Sequence, residues 1–147
     1  FLQDVFADGV PVPGVIWLTR SIRPTVEKIL GHKPNALRIR YWRKDARSAW
    51  ILEEIGKEKP ITTGIVVDRG RVERDRVLVF RETRGSVVHR DAFTRQYEQS
   101  ALDEKNRLDQ PIDGITGATL SVYAINRQVK LALVLDDLAR GSVENDD

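Results

Sequence analysis

The sequence predicts an α+β domain: an antiparallel sheet with helices packed on one face, ending in a long C-terminal helix. Three observations carry this. Between Leu37 and Phe80 the apolar residues fall into short runs with a period of two, the spacing of half-buried strands. Turn signals rather than helix-length segments separate those runs, so neighbouring strands pair antiparallel. From Val122 onward the apolar spacing changes to three and four, the stripe of an amphipathic helix. Strands first and the main helix last argue against a parallel α/β arrangement.

Taken in order, Phe1 to Gly14 carry the breakers Gly9, Pro11 and Pro13 and read as an extended arm. A short helix is expected from Arg23, with Pro24 in its first turn and Gly31 as its stop. His32 to Asn35 form a turn, so residues 1–36 make an N-terminal arm and short helix ahead of a main domain spanning 37–140. There Leu37, Ile39 and Tyr41 alternate with Arg38, Arg40 and Trp42. Ala49–Leu52, Ile61–Val67 and Val72–Phe80 supply three more strands, the last two joined by an Asp68-Arg69-Gly70 hairpin. Asp91 is placed to cap a helix carrying Phe93 and Tyr97 one turn apart. After a polar connection from Leu102 to Asp109, Val122, Ile125, Val129 and Leu133 trace the final helix. That helix is expected to run to about Arg140, stop at Gly141 and leave a frayed acidic tail over 141–147.

Composition narrows the function. At 147 residues, with 41% apolar and 31% charged residues, the chain suits one ordinary globular domain. No apolar run approaches the roughly 18 residues that a spanning helix needs. The absence of cysteine excludes disulfides, thiolate metal sites, iron–sulfur clusters and c-type haem attachment. His32 and His89 lie far apart and show no metal-ligand spacing. A net charge of +2, with acids interleaved among the bases, does not call for nucleic acid. The chain opens at Phe1, as expected of a processed or truncated chain whose targeting segment has been removed.

The stretch Asp113-Gly114-Ile115-Thr116-Gly117-Ala118-Thr119-Leu120-Ser121 sits just before the final helix. Helix N-termini leave backbone N–H groups without intrahelical partners, and the dipole there favours an anion. Gly117 lets the backbone adopt unusual dihedrals, Ala118 keeps the approach open, and Thr116 and Ser121 add hydroxyls. The bland alternative is a helix cap, with Thr116 or Thr119 as the capping hydroxyl. The stretch resembles the acceptor motif of the FMN-binding domain family, Asp-x-x-(Ser/Thr)-Gly-Ala-Thr-x-(Ser/Thr), and fills every specified position. That family includes the C subunit of the sodium-pumping NADH:quinone reductase and the G subunit of the Rnf complex. The resemblance implies that Thr119 carries FMN covalently through a phosphoester, placed there by a separate Mg²⁺-dependent flavin transferase that takes the FMN moiety from FAD. Asp113 is expected to order the loop or to be recognised by the transferase, since a carboxylate repels phosphate.

A second stretch supports the resemblance. The family's core hairpin leads to a strand ending in Glu-Thr-Pro-Gly, in a loop close to the flavin ring. Here Glu82, Thr83 and Gly85 match, and Arg84 stands in place of the proline. That change frees a backbone position that proline would fix and introduces a cation. Near the ring, a cation would raise the flavin's reduction potential. Trp42, Trp50 and Tyr97 are candidates to pack on the ring, though aromatic residues more often belong to a core or a partly buried sheet. His89 is a further candidate contact.

The resemblance therefore implies an electron-transfer flavoprotein, a redox carrier or electron-transport subunit rather than a stand-alone catalyst. It would relay electrons between a membrane-associated donor and a redox acceptor. Its expected location is extracytoplasmic, periplasmic or cell-surface, with any anchor in a segment absent from this chain. The arginine-rich stretch Arg38, Arg40, Arg43, Lys44 and Arg47 either steers an acidic partner or blunts a strand edge. The alternative function is a non-redox binding module of the same fold with an unmodified acceptor loop. Stacking of nucleic-acid bases on Tyr41, Trp42 and Trp50 is disfavoured by the interrupting Asp45, Glu53 and Glu54.

Overall fold

The computed structural model describes residues 1–145, the side chains of 142–145 excepted. Five antiparallel strands lie side by side in chain order: β1 (Gly14–Trp17), β2 (Arg38–Lys44), β3 (Arg47–Ile55), β4 (Pro60–Asp68) and β5 (Arg71–Phe80). Helices α2 (Arg23–Leu30), α3 (Asp91–Thr94) and α4 (Thr119–Asn145) accompany them. The expected α+β class, antiparallel sheet and long C-terminal helix are all present. The main core lies between the sheet and these helices. Ile61, Ile65, Val67 and Val72 from the sheet meet Val122, Ile125, Val129 and Leu135 of α4, with Val26 of α2 and Phe93 of α3 joining them.

Four readings of the sequence are corrected. The arm is not simply extended: Leu2–Val5 form a helical turn, α1. Its Val5 and Phe6 bury themselves with Ala49 and Val66 in a second, smaller cluster, on the sheet face opposite α4. Gly14–Trp17 add a fifth strand at the edge, paired with Arg38–Tyr41. Asp91 is the first residue of α3, with Arg90 in the capping position; the helix is one turn long and passes into a 3₁₀ turn at Arg95–Tyr97. Finally, α4 does not stop at Gly141 but continues to Asn145. Gly141 is not in the left-handed conformation that a stop requires, and no proline follows it. Asp146 and Asp147 of the expected tail lie outside the described residues.

Other local readings hold. Gly31 ends α2 with φ 76° and returns its N–H to the Glu27 carbonyl at 2.8 Å. The β4–β5 hairpin turns through Arg69 and Gly70 at φ 52° and 79°, the paired positive values of a type I′ turn.

Two polar devices fix α4 on the sheet. Gln128, 1% exposed, accepts from Thr63 Oγ1 at 2.8 Å and donates to the carbonyls of Leu52 at 3.0 Å and Ile61 at 2.8 Å. Asp136, fully buried, accepts from Arg43 at 2.8 Å and Ser48 at 2.6 Å and pairs with Arg140 at 3.1 Å. Buried charges are tolerated when they are paired and hydrogen-bonded in this way.

The sheet is continuous from β3 to β5 but splays between β2 and β3. These strands pair only over Trp42–Lys44 and Ala49–Arg47. Beyond that point Tyr41 stacks on Trp50 with centroids 4.9 Å apart, and the strands part to leave a cleft.

Candidate functional site

Three loops converge at the N-terminus of α4. The first is the turn Ile115–Ala118, closed by the Ala118 N–H on the Ile115 carbonyl at 3.0 Å. Gly117 takes its third position at φ 85°, a conformation that a type II turn demands and that side chains resist. Ala118 then accepts the first helical hydrogen bond, from Val122 at 3.0 Å. Ala118 is thus the capping residue, and it has no hydroxyl. Thr116 and Thr119 are exposed and make no hydrogen bond among the described residues, so the capping account of these threonines fails. Thr119 opens α4 with its hydroxyl uncommitted. The N–H groups of Thr119, Leu120 and Ser121 likewise have no acceptor among the described residues, as expected of a first helical turn.

The second loop follows β5. Gly85 stands at φ 87°, where an added Cβ would lie 3.2 Å from the Ala118 Cβ and 3.6 Å from Ser121 Oγ. This packs the Glu82-Thr83-Arg84-Gly85 segment directly against the acceptor loop. The third is the β3–β4 turn, where an added Cβ on Gly56 would lie 3.3 Å from the same Ser121 hydroxyl. Ser121, 4% exposed, is wedged between the two flanking loops. Glu82 ties them together: its Oε1 accepts the N–H groups of Glu58 and Lys59, both at 2.6 Å. Those two N–H donors hold the Glu82 carboxyl below its ordinary range, Lys59 and Lys57 adding to the effect.

Asp113 acts through its backbone. Its N–H donates to Gln96 Oε1 at 2.7 Å, while its exposed carboxylate makes no hydrogen bond among the described residues. Gln96 is a site-building residue that the sequence did not reveal, and so are the residues of the Gly56–Lys59 turn; neither carries a local motif. Thr83 and Arg84 are exposed. Arg84, Lys57 and Lys59 have no acidic partner within ion-pair distance among the described residues. The site thus offers free backbone donors, an arrangement suited to an anion, on loops that also carry Arg84, Lys57 and Lys59.

The proposed ring-packing aromatics lie elsewhere. Trp50 is fully buried, with its Nε1 donating to Ser48 at 2.7 Å. Tyr97 is fully buried and donates to Asn126. Trp42 packs towards the N-terminal cluster. His89 stands edge-on to Phe80 at 5.1 Å, on the 3₁₀ turn that follows Gly85. The arginine-rich stretch is also dispersed: Arg43 is taken by Asp136, Arg47 by Glu73, and Lys44 lies 3.9 Å from Asp8.

The profile of the FMN-binding domain family matches residues 56–134, a span that begins at the Gly56 turn and contains both flanking loops and the acceptor loop. The chain belongs to the FMN-binding domain family. Among solved structures it is similar to Shewanella oneidensis NqrC, with a TM-score of 0.65 and 15% identity over 91% of this chain and 82% of that one. At that identity the likeness is one of fold. No curated protein sequence matches the chain. The donor set also fits the cofactor of the family: the free N–H groups at the head of α4 suit a phosphate, and open space surrounds Gly114 and Gly117.

Proposed function

We propose that this FMN-binding domain carries its flavin covalently on Thr119 and serves as an electron carrier. The observation that supports this most directly is the Thr119 hydroxyl, exposed and uncommitted at the head of a 27-residue helix beside free backbone donors. Attachment is a transfer in trans: the Thr119 oxygen bonds to the FMN phosphorus of FAD, its proton leaves, and AMP departs. A flavin transferase supplies the catalysis. The N–H groups of Thr119, Leu120 and Ser121 would hold the phosphate, and Gly117 would keep the backbone clear of it. Glu82, by bracing the Gly56–Lys59 turn, positions Lys57 and Lys59 together with Arg84 around the site. When bound, FMN supplies the electron-accepting and electron-donating chemistry.

A tethered carrier of this kind suits an extracytoplasmic position between a membrane-associated donor and a redox acceptor, where a dissociable flavin would be lost. The intact mass of denatured protein co-expressed with a flavin transferase tests the proposal. A gain of one FMN less one water is expected for the wild type, and none for Thr119→Ala. No gain in the wild type, or a gain that survives in Thr119→Ala, would overturn it.

A further inference from the structure

The cleft left by the splayed sheet has a volume of about 570 Å³, within the range of small-molecule sites. Its lining contains no residue of the 113–121 loop, although Ile55 and Pro60 at its rim flank the Gly56–Lys59 turn. On α4 it reaches Gln128 and Leu131, roughly 14–18 Å along the helix from Thr119 at about 1.5 Å per residue. We propose that this cleft is a second ligand site, one that takes an aliphatic chain bearing a single anionic head group.

Two independent observations define that chemistry. The inner wall is aliphatic, formed by Leu18, Val26, Leu30, Ile39, Leu52 and Leu131. The wall reaches the helix layer because β2 leaves β3 beyond Trp42 and Ala49. The stacked Tyr41 and Trp50 rings lie where the strands part, and the slot beyond them is mainly aliphatic, with Trp42 and His32 the ring-bearing residues of its lining. Such a surface gains most from an aliphatic chain, at roughly 0.8 kcal/mol for each buried methylene.

The charges at the cleft supply the second observation. Its acids have cationic neighbours, although Glu54 Oε2 makes no hydrogen bond. Glu54 is 2.8 Å from His32 and 3.5 Å from Arg127, and Glu53 is 3.7 Å from Arg81. Arg38 and Arg40 also line it, and neither has an acid within ion-pair distance among the described residues. Arg38 rests over the Trp17 ring at 5.5 Å. Two arginines of the lining that have no acidic partner suit a carboxylate or phosphate head group at the mouth of the slot. Trp17, 55% exposed, and Leu37, 68% exposed, adjoin these arginines in the β1–β2 ladder and its approach. They extend the apolar surface beyond the mouth. The head group has two sources, a free acyl anion or an anionic lipid of a bilayer, and both share this chemistry.

The test uses the full chain, titrated with dodecanoate, dodecyl phosphate and uncharged dodecanol below their aggregation thresholds, by calorimetry and tryptophan fluorescence. Flotation with phosphatidylglycerol or phosphatidylcholine vesicles runs in parallel. Saturable binding of one charged amphiphile per chain is expected, with dodecanol at least tenfold weaker. The Arg38→Gln/Arg40→Gln variant should bind at least tenfold more weakly at unchanged melting temperature, and Arg38→Lys/Arg40→Lys should recover part of that loss. Binding of dodecanoate or dodecyl phosphate without vesicle recruitment assigns a free acyl anion; recruitment by phosphatidylglycerol but not phosphatidylcholine assigns a bilayer lipid. The proposal is overturned if no charged amphiphile and no vesicle binds. It is equally overturned if dodecanol binds as well as dodecanoate or the glutamine variant binds as well as wild type. Flavin attachment at Thr119 is read separately, by mass, and stands or falls on its own.

Discussion

Raising the pH from 5 to 8 should destabilise this protein through one side chain, Asp75. It sits on β5, 8% exposed, and neither carboxyl oxygen has a hydrogen-bond donor. Burial, reinforced by the charge of Glu98, pushes its carboxyl from the ordinary 3.8 up to about 8. The folded chain therefore keeps a proton that the unfolded chain releases above about pH 4. Stability is full below the unfolded value and is lost as pH rises towards 8, the reverse of a salt-bridged carboxylate. At about 1.4 kcal/mol per pH unit, the interval from pH 5 to 8 is worth roughly 4 kcal/mol. Asp75→Asn keeps the shape and a neutral polar group but cannot ionise. Its stability relative to wild type should rise by about that amount over the same interval, or roughly 8–16 °C in melting temperature for a domain of this size. Thermal denaturation of both proteins at pH 5, 6.5 and 8 measures it. A difference that stays constant with pH, or shrinks as pH rises, would refute the reasoning.

Other perturbations probe the site and its supports. Gly85→Ala meets both a left-handed backbone and the close Ala118 contact, so it should cost about 1–2 kcal/mol in denaturant unfolding and lower the yield of flavinylated protein. Asp136→Ala strands Arg43 in a largely buried setting and should cost about 3–5 kcal/mol by the same measurement. Glu82→Gln should speed hydrogen exchange at the Glu58 and Lys59 amides. In the wild type the same loosening should appear on acidification, because the lowered carboxyl pKa makes the brace present above the ordinary glutamate range and lost as pH falls through the folded value. Arg84→Gln on flavinylated protein should lower the reduction potential by on the order of 20 mV, read by spectroelectrochemistry; an unchanged potential would remove Arg84 from the flavin's surroundings.

The parts of this molecule that were legible in the sequence share one property: their cause is local. The turn before Thr119 needs a residue at positive φ, and Gly117 supplies it. The α4 stripe and the Arg69–Gly70 hairpin likewise depend on neighbours a few residues away. What escaped depends on partners distant in sequence. Gly14–Trp17 are a strand only because Arg38–Tyr41 pair with them, and the Pro11 and Pro13 just ahead of them signal an arm. Leu2–Val5 are helical at the point where Val5 meets Ala49 and Val66. Trp50 and Tyr97 could not be assigned to core or cofactor until the far side of the sheet was in view. Gln96 gives no sign in the sequence that it will hold Asp113. The arginine-rich stretch looked like one patch, but the turn between β2 and β3 divides it, sending Arg43 of β2 to α4 and Arg47 of β3 to Glu73.

The buried Gln128 amide has a consequence for the first turn of its helix. It bonds at once to Thr63, Leu52 and Ile61, so it indexes α4 against two strands like a tooth in a rack. Slipping α4 by one residue would advance it about 1.5 Å and turn it by about 100°, breaking all three bonds together. Intermediate settings are therefore disallowed, and the orientation of the first turn is inherited from this tooth nine positions downstream of Thr119. The address of the Thr119 hydroxyl is written in the core, and substitutions at Gln128 should mis-aim Thr119 without touching the loop that surrounds it.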